Sequence, residues 1–508
     1  MSQSALPHTE PSSDVRLGSG VAGLDDILVG GFPANHLYLL EGDPGTGKTT
    51  VALQFLLEGT RLGERCLYVT LSESKRELQG VAESHGWSLD KIPVFEMTPQ
   101  EEELNPDAQY TVFHPSDVEL SDTTSAVLKQ VDKIQPTRVV FDSLSELRML
   151  ARDALRYRRQ ILGLKRYFAG RNCTVLLLDD RTAEGHDLQL QSIAHGVIMM
   201  QSMEREFGVK RRRLEVRKLR GSRYREGFHD YTIETGGVVV YPRLVASEHL
   251  PGHTIKRVPS GIAELDQLLG GGLDNGTSTL LMGPAGCGKS TIAARYALAA
   301  AERGEMVAVF TFDETLTTYI HRAAGLGMNL EEHIKAGRLR IQPLDPAEIA
   351  PGQFVHCIRK LVEDDHATLL VIDSLNGFLN AMPGEQFLTL QLHELLSYLN
   401  QQGLTTIFTL AQHGLIGGGM ESPIDVSYLA DTVLLFRYFE TYGELRQALS
   451  VLKKRSGLHE RSIRALSFSN GTVSVGPPLK NFQGVMTGVP QPIGESRVPS
   501  SNESKNVA

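Results

Sequence analysis

The sequence predicts an α/β protein made of two copies of one domain, each built on a central, mostly parallel sheet. Three observations carry that prediction. One offset relates two long stretches of sequence, short apolar runs alternate with helical patterns, and a glycine-rich phosphate loop occurs twice.

The repeat fixes the organisation. Arg16-Leu17-Gly18-Ser19-Gly20 opens one copy and Arg257-Val258-Pro259-Ser260-Gly261 the other, an offset of 241 residues. The same offset takes Asp25 to Asp266, Gly42 to Gly283, Lys48 to Lys289 and Glu73 to Glu314 without a gap. A period this long marks a duplicated domain rather than a solenoid. Composition then divides the chain: a polar N-terminal tail over 1–15, a first domain over 16–246, and a linker over 247–255 containing Pro251-Gly252. A second domain covers 256–475. Gly476-Pro477-Pro478 breaks its last element, and a C-terminal loop and disordered tail fill 476–508.

Within each copy the elements alternate. Residues 36–40, 66–71, 138–141 and 174–178 are short apolar runs of the kind that form buried parallel strands, and 49–59 is helical. Residues 278–282, 306–312, 369–372 and 405–410 repeat the strands in the second copy. This alternation is the signature of an α/β sheet.

Composition narrows the function classes. With 51 Lys and Arg against 60 Asp and Glu the net charge is −9, which argues against a surface built throughout for nucleic acid. No run approaches 18 apolar residues, so no membrane helix is expected. Met1 to Val15 lacks the apolar core of a signal peptide. Cys66, Cys173, Cys287 and Cys357 lie far apart with no CxxC pair, so neither a zinc ribbon nor a disulfide framework is signalled. A reduced, cytoplasmic protein is expected.

The chemistry concentrates in the loops. Gly42-Asp43-Pro44-Gly45-Thr46-Gly47-Lys48-Thr49 and Gly283-Pro284-Ala285-Gly286-Cys287-Gly288-Lys289-Ser290 both fit GxxxxGK[ST], between a strand and a helix. Glycines let backbone N–H groups converge on phosphate oxygens, and the helix adds its positive end. Lys48 and Lys289 are expected to reach the β- and γ-phosphates of a nucleotide, while Thr49 and Ser290 offer a hydroxyl to Mg²⁺. Thr50 and Thr291 extend the two nucleotide-binding stretches. Asp142 and Asp373 each end an apolar run, where a carboxylate holds the water shell of Mg²⁺ or merely ends a strand. Glu73, and the pair Asp313-Glu314, end the strand that follows each phosphate loop, where an acid can orient water or take a proton from a hydroxyl. The competing reading is a solvated acid at a helix start.

These residues together resemble the KaiC family, double-domain ATPases of the RecA-like class, over roughly 16–490. The opening SGxxxLD stretch occurs twice, as there. Lys218-Leu219-Arg220-Gly221 is similar to the family's Lys-Leu-Arg-Gly, whose Lys and Arg contact ATP held by the neighbouring subunit. Lys453-Lys454-Arg455 keeps Lys-x-Arg in the second copy. Ser84 near the nucleotide, Trp87, and Asn481-Phe482 with Thr487-Gly488-Val489-Pro490 also agree with the family. The resemblance implies a homohexamer of two stacked rings with ATP at subunit interfaces. It implies slow hydrolysis in the first ring, and autokinase, autophosphatase and ATPase activity in the second. A KaiB-like protein or a signalling kinase are the partners in keeping with it. Ser427 matches the family's phosphoserine, but Tyr428 stands where its phosphothreonine should be, leaving Ser427 as the main acceptor, with Ser422 and Thr432 as lesser ones. Ser72 replaces the first of the family's two glutamates before the helix, leaving Glu73.

Several features keep two readings. Lys210-Arg211-Arg212-Arg213 suggests DNA binding or, on a strand edge, an interface. Cys287 is a redox switch or a small residue tolerated in the loop. Gln412 and His413 sense γ-phosphate or are ordinary loop residues. A RecA-like DNA motor and an ATP-assembled scaffold without phosphotransfer remain the rival functions, since fold alone does not give function.

Overall fold

Each phosphate loop follows a strand that is buried along its length because helices cover both faces of its sheet. Leu37 and Leu39 pack in one core cluster and Tyr38 and Leu40 in another, so successive side chains feed opposite layers. Fully burying one such leucine stabilises the fold by roughly 1.5–3 kcal/mol. The computed structural model describes residues 15–97, 115–151, 153–180, 188–204, 208–249, 252–380, 388–412, 427–441, 443–469, 471–485 and 491–492. The chain divides into two compact units between Arg243 and Leu244. Ala246, read from the sequence as the end of the first copy, packs in the core of the second unit.

The first unit's large sheet contains β1 (Leu37–Gly42), β2 (Cys66–Thr70), β3 (Val94–Glu96), β4 (Arg138–Asp142), β5 (Thr174–Asp180), β6 (Gly196–Met203), β7 (Arg211–Leu219), β8 (Phe228–Glu234) and β9 (Gly237–Tyr241). Helices α1 (Lys48–Arg61), α2 (Lys75–Ser84), α3 (Ala154–Ala169) and α4 (Leu188–Ile193) bear on the site. The second unit repeats the strands as β10 (Ser278–Gly283), β11 (Val307–Thr311), β12 (Leu339–Pro343), β13 (Leu369–Asp373), β14 (Thr405–Ala411), β15 (Thr432–Thr441), β16 (Glu444–Lys454), β17 (Arg464–Ser469) and β18 (Thr472–Pro478). Its helices include α5 (Lys289–Glu302), α6 (Leu316–Ala324) and α7 (Leu388–Gln401).

The strand order is β9-β8-β7-β6-β1-β5-β4-β2-β3 in the first sheet and β18-β17-β16-β15-β10-β14-β13-β11-β12 in the second, one order used twice. The strands from β6 to β3 pair in parallel, and β7 to β9 extend the sheet antiparallel. The predicted α/β class with a mostly parallel sheet is therefore the observed one. The opening repeat is a turn: the Ser19 N–H donates to Asp25 Oδ1 at 2.9 Å, and the Ser260 N–H to Asp266 Oδ1 at 2.8 Å.

Two expectations are corrected. The charge run Arg211 to Arg213 opens β7, which is not the edge strand of its sheet: β6 pairs all three residues, and β8 pairs β7 from Arg213 onward. Its alternation of Leu214, Val216 and Leu219 inward with charged residues between them suits a half-buried antiparallel strand. Gly476-Pro477-Pro478 does not break the last strand but lies within β18, at the outer edge of the sheet, where a missing N–H breaks no inner ladder. The N-terminal tail, His413, Ser422, residues 487–490 and the tail beyond 492 lie outside the described residues. Among the described residues no helix is long and apolar enough to cross a membrane.

Candidate functional site

The two loops are built alike. Gly47 and Gly288 hold φ near +90° and +102°, turning the chain into α1 and α5. A side chain at either would collide, with Ile233 at 2.7 Å or with Phe468 at 2.4 Å, so glycine is required twice over. The ammonium groups of Lys48 and Lys289 curl back over the loops. Lys48 Nζ donates to the Gly42 and Asp43 carbonyls at 2.8 and 3.0 Å, and Lys289 Nζ to those of Gly283 and Pro284 at 2.9 and 2.6 Å. Thr46, Thr50, Cys287 and Thr291 are buried at the loop and first helical turn. Gly45 and Gly286 also take positive φ.

Behind each loop a hydroxyl meets a carboxylate. Thr49 Oγ1 donates to Asp142 Oδ2 at 3.1 Å and Ser290 Oγ to Asp373 Oδ1 at 3.0 Å. A second donor fixes each aspartate: Tyr68 OH at 2.5 Å in the first unit and Thr409 Oγ1 at 2.6 Å in the second. Burial raises the proton affinity of both aspartates against these hydrogen bonds. An oxygen-only set of hydroxyl and carboxylate is what a hard cation such as Mg²⁺ takes.

The strand-end acids are positioned by their own backbone. Thr70 Oγ1 donates to the Glu73 carbonyl at 2.6 Å and accepts from its N–H at 3.0 Å. Thr311 does the same for Glu314 at 2.9 and 3.2 Å. The carboxylates then differ. Glu73 Oε2 is buried without a hydrogen-bond partner among the described residues, and burial, then Asp142, Glu77 and Asp180, raise its proton affinity. Glu314 is held by Arg322 through two contacts of 3.2 and 2.9 Å, and Asp313 accepts from the Ser374 hydroxyl. Arg322 also lines a cavity of about 390 Å³ over the second loop, with Lys289, Ser290, Thr291, Leu326 and Phe468.

Other predicted residues lie elsewhere. Lys218 and Arg220 donate to the carbonyls of Gln191 and Ser192 at the N-terminal end of β1, the opposite end from its phosphate loop. Leu219 between them is buried. Lys453 Nζ donates to the Ser427 and Ala430 carbonyls at 3.1 and 2.8 Å, and Arg455 pairs with Asp431 at 3.1 Å. Both lysines sit where a bulge interrupts the ladder, at Val197/Ile198 and Val433/Leu434, a device that re-aims a side chain. Ser427 lies in the turn before β15, which pairs with β10 from Thr279↔Thr432, again at the end away from the loop. Thr432 is buried within that strand, which removes it as an acceptor. Ser84 ends α2 and donates to the Val81 carbonyl at 2.7 Å. Burial raises the Cys287 thiol above its ordinary value despite Lys289 nearby, so the reactive thiolate of the redox reading is disfavoured.

Sequence reasoning missed Asp180, which pairs with Lys48 at 2.7 Å, and Tyr68, Thr409 and Arg322. Asp180 had a signal, since it ends an apolar strand as Asp142 does. Arg322 had a weaker one, eight residues after Glu314 on the helix that the acid precedes.

The family model of the KaiC ATPase matches residues 17–245 and 258–480, both units almost end to end. The chain belongs to the KaiC ATPase family. Full-length relatives agree with that KaiC assignment. The circadian clock protein KaiC3 of Synechocystis is 26% identical over 494 residues, covering 95% of this chain and 96% of the relative. The circadian clock oscillator protein KaiC of Thermostichus vulcanus is 26% identical over 496 residues, covering 95% and 93%. That of Synechococcus elongatus is 25% identical over 495 residues, covering 95% and 93%. This KaiC-family chain is thus a nucleotide-binding ATPase with two duplicated domains.

Proposed function

We propose that this chain assembles through ATP into a homohexamer of two stacked rings, hydrolyses ATP slowly at the first loop, and transfers phosphate to Ser427 from the second. The observation that carries the reading is the contrast between the strand-end acids: Glu73 with an unsatisfied, proton-hungry carboxylate, and Glu314 pinned by Arg322. The relatives' names as circadian clock proteins support a regulatory role of circadian or other signalling type for this chain.

At the first site Lys48 turns from the loop carbonyls and Asp180 to the β- and γ-phosphates. Thr49 and Asp142 would hold Mg²⁺, which screens phosphate charge when bound. Glu73 accepts a proton from a water aligned with the γ-phosphorus. At the second site Lys289 would place the nucleotide, and Ser290 and Asp373 would hold its Mg²⁺. The Ser427 hydroxyl attacks: its Oγ–P bond forms as the β,γ-bridging P–O bond breaks, and the proton passes to Asp313 or Glu314. Ser427 and its own loop lie at opposite ends of β10, six residues at about 3.3 Å each, which supports a transfer in which acceptor and ATP belong to different subunits, as the family resemblance implies. A phosphoserine there gains about −1.5 to −2 charges beside Lys453 and Arg455, enough to alter ring contacts.

The test is phosphopeptide mapping after incubation with Mg-ATP. Phosphate is expected on Ser427 and absent from Ser427→Ala. Equal phosphate in the two proteins, or phosphate only on Tyr428, would reject the transfer. A KaiB-like protein or a signalling kinase is the partner class consistent with this reading.

A further inference from the structure

Three cations meet at the N-terminal end of β1. Lys165 of α3, Lys218 at the bulge of β7 and Arg220 just beyond it donate to the carbonyls of Ile193, Gln191 and Ser192, three successive residues at the C-terminus of α4. A helix C-terminus attracts cations, but its partial charge of roughly half a unit does not balance three. No carboxylate contacts any of the three among the described residues. Burial, then their mutual repulsion with Arg220, holds Lys165 and Lys218 below the ordinary lysine range. His195, stacked on His36 with ring centroids 3.7 Å apart, adds no negative charge; burial, His36 and Arg220 push it down to about 4, so it is neutral.

The second unit solves the same position differently. Asp431 takes the place of His195: the backbone N–H of each donates to the start of the central strand, at Ser278 and Leu37. Asp431 then neutralises Arg455. Nine residues before β14, where α3 has Lys165 before β5, α7 has the buried Leu396. Among the described residues, one unit therefore carries three cations without an acid beside them, the other two cations and an acid.

An uncompensated trio calls for a multivalent anion. It cannot be one on the chain's own first loop, which begins at Gly42, the far end of β1. We propose that Lys165, with Lys218 and Arg220, forms a three-cation site for the polyphosphate of a nucleotide held on the phosphate loop of a second copy of this chain. The inference rests on the ATP-bridged assembly proposed above and adds Lys165 to it as a residue peculiar to the first ring.

The experiment compares full-length wild type, Lys165→Met, Lys165→Arg and Lys218→Met by light scattering against Mg-ATP concentration. Lys165→Met is expected to raise the ATP needed for half-assembly about tenfold, the effect of losing one charge-assisted contact. Lys165→Arg should restore most of it, and nucleotide-free thermal unfolding of Lys165→Met should match wild type, which a purely structural lysine would not allow. If Lys218→Met shifts assembly and Lys165→Met does not, the bridged assembly stands and the role of Lys165 is overturned. If neither shifts it, the bridging itself is wrong. A second arm titrates Lys48→Ala with inorganic tripolyphosphate without ATP. No binding below millimolar is expected; tight binding that Lys165→Met abolishes would make the ligand a free anion and overturn its assignment to a second copy.

Discussion

The two phosphate loops share a strand, a helix, a lysine, a hydroxyl and an aspartate, yet the charges around them are arranged in opposite ways. In the first unit Asp180 neutralises Lys48, and Glu73 stands among Asp142, Glu77 and Asp180 with one oxygen unsatisfied by any described residue. In the second Ala411 stands where Asp180 does in the register, and Arg322 neutralises Glu314. Among the described residues, one site keeps its acid hungry for a proton and its lysine paired; the other keeps its lysine unpaired with acid and its acid paired. On the proposed reading, a duplicated scaffold supports two chemistries through a few exchanges at strand ends and on one helix, where Val81 matches Arg322.

The largest effect should come from removing a loop lysine. Lys48→Ala is expected to weaken ATP-driven assembly by roughly 10²-fold or more, because a charge is lost opposite phosphate. Light scattering checks it, and a hexamer that forms unchanged without nucleotide would break the comparison at its root. Next, Glu73→Gln keeps size and hydrogen bonding but not the base, and should lower first-site hydrolysis about 10²-fold. Phosphate release equal to wild type, with the second site silenced, would remove the role given to Glu73.

The comparison sharpens if one site is turned into the other. Arg322→Val gives the second unit the first unit's arrangement and releases Glu314. Free phosphate from the second site should rise several-fold, roughly the effect of freeing one partly positioned base; an unchanged rate would mean that Arg322 does not restrain Glu314. The smallest effect expected is on pH dependence. Glu73 works as a carboxylate, and its raised proton affinity makes first-site hydrolysis fall, on acidification, at higher pH than an ordinary glutamate would. Asp180→Asn removes one of the charges that raise it. The acid limb of the rate profile should therefore move to lower pH, and a limb that stays in place would exclude Asp180 from the set.

Much of this was legible in the sequence. The constant offset exposed the duplication, and the glycine and lysine spacing exposed both loops, because phosphate binding needs a local, contiguous backbone shape. Asp142 and Asp373 were legible because the apolar run of a buried parallel strand ends visibly in a carboxylate. The antiparallel strands β7 to β9 and β16 to β18 were not, since alternating charged and apolar residues such as Arg211 to Leu219 carry a weak signal. Pairings across long separations, Tyr68 to Asp142 or Lys165 to the end of α4, depend on strand order, which no single segment encodes. The differences between the sites were hidden for the same reason: Asp180, Arg322 and Lys165 matter only through what the fold sets beside them.

The most direct test of a hydrolysing first site and a transferring second one is to follow the γ-phosphate. Wild type, Glu73→Gln and Glu314→Gln would each be incubated with γ-labelled Mg-ATP, with free phosphate and protein-bound label counted together. Glu73→Gln should lose most free phosphate and keep label on Ser427, while Glu314→Gln should lose the label and keep phosphate release. Loss of both products to the same extent in both variants, or the reverse pattern, would contradict the division of labour between the two units.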